Sequence, residues 1–312
     1  MALQTTASAG LSVEMKTFYD RMLLVRTKAE LIHEKFAQHR SIPAHGGKTI
    51  EFRRFAALAT ATAPLTEGVP PTLKDLAASA ITATIAQYGD AIGFSDLVST
   101  TTIDPILSET TSILAQQAGE TIDEVVRDVL VTGTAVRYVG QTSRGAITAA
   151  NVLDPAAVRL AVLDLKLGRA KKIDGFYHAL IHPRSALDLM SSTEWRDAQN
   201  YNTTGRIFDG SLGVLYGVKF WESDVTKIYV NAGAGSTVDV YISLFFGADA
   251  WGMVSLAGHN LESIYKPLGS AGTADPVNQQ QSMGWKCAFV AKILTDSFML
   301  RLEHATSTAL NV

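Results

Sequence analysis

Apolar residues recur along this chain with two alternating periods, and the points where the period switches divide it into segments. Leu11, Met15, Phe18, Tyr19 and Met22 stand at helical spacing. Thr27 and Glu30 then make a capping-box pattern ahead of Leu31, Ile32 and Phe36. Residues 12–39 therefore read as one or two helices with a narrow apolar stripe, which needs a surface to pack on in this subunit or a neighbour. From Lys48 the period drops to two, with Ile50 and Phe52 on one face and Glu51 and Arg53 on the other. A stretch rich in Thr and Ala follows, with Pro70-Pro71 at its middle. Alternation resumes at Ile81, Ala83 and Ile85, and again at Ile92 and Phe94. Two long strands about a proline-stiffened tip describe a β-hairpin. Such hairpins are marginal alone in water, and this one is poor in bulky residues, so it calls for a neighbouring surface.

Helical period returns after Asp104-Pro105, an N-cap followed by the one helical position where a missing amide costs nothing. Ile106, Leu107, Ile113, Leu114, Ala118, Ile122, Val125, Val126, Val129 and Leu130 keep the period until Gly133. A helix over 105–131 would be roughly 40 Å long, beyond the usual globular length, and so a structural axis. Asp154-Pro155 starts a second capped helix that stops near Gly168. "GFYHALIHP" reads as a buried strand and "PRSALDLMSS" as a short helix. Glycine-punctuated strands fill "LGVLYGVKFWES", "KIYVNAG" and "DVYISLFFGADAWGMVSL". Near the end, a polar loop with Pro276 separates an extended segment from a long apolar strand-like run. Helices and strands interleave without regular βαβ alternation, which predicts an α+β fold.

Composition narrows the function classes. The 312 residues are 47% hydrophobic and 18% charged, proportions of a folded chain large enough for a substantial core. A net charge of −3 argues against general nucleic-acid binding, which draws on an excess of Lys and Arg. Cys287 is the single cysteine, so no internal disulfide forms, and its apolar setting marks a structural thiol. The N-terminal stretch lacks a basic segment followed by an apolar run, and no apolar run reaches membrane-spanning length. The chain reads as a soluble protein made in a cytoplasm.

Candidate chemistry is thin. Gly46-Gly47-Lys48-Thr49 imitates the close of a phosphate-binding loop, but the required earlier glycine is Ile42, and a strand rather than a helix follows. His33-Glu34 begins like a zinc-protease motif, yet the next histidine is His39 instead of position 37. His178 and His182 are four apart on a strand-like segment, and read as two partly exposed strand histidines rather than a metal pair. Gly233 and Gly235 lack the third glycine of a dinucleotide fingerprint, Val238 standing in its place. No Gly-x-Ser-x-Gly elbow occurs. The residues thus predict no catalytic, cofactor-binding or metal site, although carboxylates distant in sequence could still converge in an α+β enzyme.

The order of parts, a helical arm, a long hairpin, a long helix and an α+β body, resembles the major capsid proteins of tailed bacteriophages with the Hong Kong 97-type fold. The stretches "LQTTASAGLSVEMKTFYDRMLL", "HGGKTIEFRRFAALATATAPLTEGV", "ITATIAQYGDAIGFSDL", "EWRDAQNY", "IFDGSLGVLYGVKFWES" and "KPLGSAGTADPVNQQQSMGWK" are similar to the coat-protein family named after phage N-four. The resemblance implies an N-terminal arm over 1–42, an extended loop over 43–95 and a peripheral domain with the spine helix over 96–149. An axial domain would occupy 150–254, with C-terminal strands over 255–312 returning to the peripheral domain. It implies self-assembly through pentamers and hexamers into an icosahedral shell around double-stranded DNA, held only weakly, in a virion assembled in the host cytoplasm. Scaffold, portal and decoration proteins would be partners, and no membrane is involved. Some relatives of this fold crosslink through Lys and Asn, an arrangement that cannot be matched here.

On this reading Phe18, Met22 and Phe36 are apolar inter-subunit anchors, although packing in their own subunit is an equal expectation. Lys48, Arg53 and Arg54 would meet acidic groups on an adjoining subunit, and Pro70 and Pro71 would stiffen the tip that lies on it. Gly46-Gly47 becomes a hinge where arm turns into hairpin. Two rivals remain at this point: an encapsulin-like nanocompartment shell and an α+β enzyme with a noncontiguous site.

Overall fold

The longest helical period in the chain becomes its longest helix, and two sheets are built around it. The computed structural model describes residues 32–43, 46–55, 58–101, 106–195, 212–258 and 260–308. Four strands come first: β1 (Gln38–Ile42), β2 (Thr49–Phe55), β3 (Ala78–Thr84) and β4 (Ala86–Ser95). A short helix α1 (Asp96–Thr101) precedes the spine helix α2 (Ile106–Val131), and β5 (Val136–Tyr138) follows. Then come α3 (Pro155–Leu167), β6 (Tyr177–Ile181), α4 (Pro183–Ser191), β7 (Gly213–Leu215), β8 (Val218–Glu222) and β9 (Ile228–Tyr229). The chain closes with β10 (Val240–Phe246), β11 (Trp251–Leu256), β12 (Glu262–Lys266), β13 (Gln280–Ile293) and β14 (Met299–His304).

One five-stranded sheet is organised on β13, which pairs antiparallel with β4, β12 and β11, while β1 joins β11 in parallel. The second sheet has seven strands in the order β5-β14-β10-β6-β8-β7, with β9 beside β10. Strand alternation decides which layer each residue enters. In β10, Ile242, Leu244 and Phe246 face the core shared with the spine helix, while Phe245 faces the core beneath α3. In β13, Met283, Trp285, Cys287 and Phe289 face the spine helix, and Ala288 faces the base of the hairpin. Leu114, Ala118, Val126 and Leu130 of the spine are fully buried against both sheets. Each buried Leu or Val side chain contributes about 1.5–3 kcal/mol of burial, and the Ala118 methyl less.

Polar contacts fix the joints between layers. Asp154 caps α3 by accepting from the Ala157 amide at 2.8 Å, as its sequence position predicts, with Pro155 opening the helix. Arg137 of β5 makes a two-pronged pair with Asp164 of α3 at 2.6 and 2.7 Å. Fully buried Glu303 accepts from Arg144 at 2.6 and 2.7 Å and lies 2.9 Å from Arg301. That hydrogen bonding holds the Arg144 guanidinium charged, its pKa raised above the ordinary value. Arg301 also donates to the Val131 carbonyl at the C-terminus of the spine, where the helix dipole favours a cation.

The structure departs from the sequence expectations in four places. Helix was expected over 12–39, but residues 32–37 form turns and 38–42 form β1. Pairing with β11 supplies hydrogen bonds that outweigh the local period of Ile32 and Phe36. The return strand of the hairpin is two strands: β3 pairs with β2, and β4 leaves to pair with β13 over ten residues. The apolar run expected near the C-terminus also divides. β13 lies in the five-stranded sheet, a 3-10 turn at Asp296–Phe298 redirects the chain, and β14 enters the seven-stranded sheet. Finally, His178 is buried rather than partly exposed, its Nδ1 accepting from the Trp221 indole at 2.9 Å. The helices expected over 12–31 and the Asp104-Pro105 cap lie outside the described residues.

Candidate assembly surfaces

Two surfaces hold the described residues that the sequence singled out for assembly. The first is the hairpin and the loop it carries. Gly47, at φ +90°, turns the chain into β2, a conformation that side chains other than glycine rarely adopt. β2 and β3 pair over seven residues from Thr49↔Thr84 to Phe55↔Ala78. The inner face of this ribbon, Ile50 and Phe52, joins Ile42, Ile85, Val254 and Ala288 in a small core that fixes the hairpin to the body. Gly252 makes room for the Phe52 ring, since a Cβ there would come within 3.3 Å of it. Beyond the ribbon, residues 58–77 have no regular secondary structure, and every one is exposed. Leu65 is 75% exposed and Leu73 is 93% exposed, which no isolated fold explains.

Lys48, Arg53 and Arg54 are all exposed on this ribbon, and Pro70 and Pro71 lie in its exposed loop. Arg53 already pairs with Glu51 of its own strand at 3.1 Å, in an exposed pair. The second surface is the root of the N-terminal segment, and it accounts for Phe36. The Asp123 carboxylate, in the middle of the spine helix, accepts from the amides of Ile32 at 3.1 Å and His33 at 2.8 Å. Its other oxygen accepts from the His33 ring at 2.6 Å, and both side chains are fully buried. Lys35 places its ammonium 3.9 Å from the centre of the Trp221 ring. Phe36 packs 4.7 Å from His178 and 5.2 Å from Phe246. Its ring is therefore taken up by its own chain, while Phe18 and Met22 lie outside the described residues. Burial raises the Glu34 pKa, with nearby Asp123 adding to the effect and His39 opposing it.

The remaining candidates do not converge on chemistry. His182 caps α4, accepting from the Arg184 amide at 3.1 Å, and shares no ligand position with His178. Burial lowers the pKa of both histidines. Buried His304 donates from Nδ1 to the Ala305 carbonyl and accepts at Nε2 from Ser243, each at 2.8 Å; burial pushes its pKa down to about 4. The Cys287 thiol is pushed up to about 12 by burial and by Glu34, so it is inert at neutral pH. Among the described residues, no three His, Cys, Asp or Glu side chains are placed to hold a metal ion. An open cleft of about 510 Å³ between hairpin and body gathers Arg40, Arg53 and Arg54 with Glu51 and Asp249. A second, of about 580 Å³, is lined by Lys266, Ser270, Gln280, Gln281 and neighbouring small residues. Neither brings together histidines. No helix among the described residues is long and apolar enough to cross a membrane.

A hairpin reaching beyond its body, a spine helix under one sheet and a second sheet beside it define the Hong Kong 97-like fold of tailed-phage capsid proteins. The capsid of Ralstonia phage GP4 matches with a TM-score of 0.69 at 14% identity, covering 90% of each chain. The capsid of cyanophage Pam1 matches at 0.69 and 14% identity, covering 91% of this chain and 93% of that one. The SrpI encapsulin of Synechococcus elongatus matches at 0.57 and 11% identity, covering 100% of this chain and 95% of that one. A family model described as "Phage capsid protein" matches residues 77–300. The chain belongs to the phage capsid protein family. No curated protein matches it by sequence.

The sequence marked 58–77 as a stretch rich in Thr and Ala around Pro70-Pro71, at the tip of two long strands; that it forms a long irregular loop with exposed leucines is seen only in the structure. The buried His33–Asp123 contact left no signal in the sequence, because its partners are ninety positions apart.

Proposed function

We propose that this chain is the major capsid protein of a tailed phage, and that copies assemble through pentamers and hexamers into the icosahedral head shell around double-stranded DNA. The observation that carries the reading is the family match over 77–300, which runs from β3 through β13 and into the first two residues of β14. The exposed apolar loop supports it, since such a surface needs a neighbouring subunit to cover it. On this reading the residues before β1 are the arm and the ribbon with its loop is the extended loop. The spine helix with the sheet on β13 belongs to the peripheral domain, and α3, α4 and the strands β6 to β10 belong to the axial domain over 150–254.

Lys48, Arg53 and Arg54 then meet acidic groups of an adjoining copy, and Pro70 and Pro71 stiffen the loop lying on it. Phe18 and Met22 serve as arm anchors, and within the capsid family the chain falls into the group named after phage N-four. Scaffold, portal and decoration proteins are its further partners, and the protein carries no catalytic activity. Imaging the purified protein by electron microscopy tests the central claim. Closed shells, pentamers or hexamers are expected, and a strict monomer at high concentration would overturn it. The encapsulin match favours a second reading, a nanocompartment shell. Particles isolated with a cargo enzyme in place of DNA would select it.

A further inference from the structure

Helix α3 is apolar on two opposite faces. Ala157, Val158, Ala161, Val162 and Leu165 are buried against the seven-stranded sheet, as a core helix requires. The outer face carries Ala156, Leu160, Leu163 and Leu167, all exposed, at spacings of four, three and four. Leu160 is 44% exposed, Leu163 48% and Leu167 73%. Steps of four and three are the seam of a helix that packs on a partner, and an outer face otherwise turns polar. On the same side of the sheet, α4 adds exposed Leu187 and Met190.

The charges beside the stripe say what covers it. On one flank stand Arg159 and Lys166, both exposed, with no carboxylate within ion-pair distance among the described residues. The opposite flank is Asp164, already neutralised by Arg137. The uncompensated charge along the stripe is therefore positive, and it fits an acidic surface. This chain presents one on the rim of the same domain: Glu222 at the end of β8 and Asp224 just past it are exposed, Lys227 is already paired with Asp128 at 3.2 Å, and Val230, just past β9, is 70% exposed. Two identical stripes facing each other across a two-fold axis would bring like charges together. A head-to-tail contact brings stripe to rim, and such contacts close into rings when the rotation from copy to copy closes.

We propose that the outer stripe of α3 is a contact between copies, in which Leu160, Leu163 and Leu167 of one copy pack on the acidic rim at 222–230 of the next within a ring. The inference rests on the shell-forming reading and adds the residues that join neighbours in one ring. The test places a photo-crosslinking amino acid at Leu163 of the full chain and maps adducts in purified assemblies by mass spectrometry. An adduct to residues 222–230 of another copy is expected. An adduct to residues 11–25, to a different polypeptide, or to nothing overturns the proposal. A parallel Leu163→Glu variant should lose at least ten-fold of its assembled fraction while the monomer keeps the wild-type circular dichroism spectrum and thermal midpoint. Undiminished assembly of that variant also overturns it. Shells that form without the adduct remove only the stripe; a wild-type chain that stays monomeric removes the shell reading as well.

Discussion

The spine helix and the loop at 58–77 are both rich in apolar residues, yet they hold them in opposite ways. In the spine, Leu114, Ala118, Val126 and Leu130 repeat at helical steps and are fully buried. In the loop, Leu58, Leu65, Val69, Leu73 and Leu76 follow no period, and each is at least 59% exposed. The difference teaches where each segment finds its order. A periodic stripe can be buried inside one chain. An aperiodic apolar loop mounted on a two-stranded ribbon has no inner face to bury; on the proposed shell-forming reading, another chain covers it.

Removing the loop is the strongest way to break this comparison. A chain lacking residues 58–77 should form no shells by electron microscopy or sedimentation, while its body unfolds at an unchanged thermal midpoint. Assembly at wild-type yield would mean that the loop is dispensable. Next in size is a paired truncation. Trp251→Ala, at a fully buried ring packed 4.7 Å from Phe246, should cost the unassembled subunit about 3–5 kcal/mol in urea unfolding. Leu73→Ala should stay within about 0.5 kcal/mol in the same measurement, and reduce assembly instead.

The root of the N-terminal segment sharpens the contrast, because it is short yet held as firmly as core. Asp123→Ala leaves the His33 ring and two amides without their buried acceptor, a loss of about 3 kcal/mol. Hydrogen exchange at residues 32–37 should rise with it. A smaller and graded effect comes from His304. Burial lowers its folded pKa to about 4, from 6.5 for the free side chain. Between those values the unfolded chain binds a proton that the folded chain refuses, so stability falls as pH drops from 6.5 and levels off below about 4. The total is on the order of 3 kcal/mol, with buried His178 and half-buried His182 adding in the same direction. Replacing His304 by Gln should flatten the slope of stability against pH in that window. Smallest of all, Arg53→Ala should change subunit stability by less than about 0.5 kcal/mol, because its pair with Glu51 is exposed.

Much of the fold was legible wherever a rule acts over a few residues. Asp154-Pro155 announced α3, Ile50 and Phe52 announced the inner face of β2, and the long period from Ile106 announced the spine. The candidate surfaces were less so. The period of Ile32 and Phe36 suggested helix, but their contacts are with Asp123, His178 and Phe246, residues that no local pattern brings near. The continuous alternation over 78–95 concealed a change of partner at Ile85, because β2 and β13 ask the same period of the strand. The apolar run near the C-terminus likewise hid a transfer between sheets. Resemblance to a capsid family reached the fold before any physical rule could.

By itself, the sequence determined the elements with strong local signals, the absence of short catalytic motifs, and a Thr- and Ala-rich stretch around Pro70-Pro71 between two alternating segments. Capping, proline placement and side-chain period act within one or two turns of helix, so they survive without tertiary context. The tertiary structure alone decided that "GGKTIEFRRF" enters a ribbon seated on Gly252, that Asp123 holds the residues before β1, and that α3 keeps a second apolar face outside. Those outcomes depend on contacts between residues tens to hundreds of positions apart, and on which surfaces remain uncovered once the core has closed.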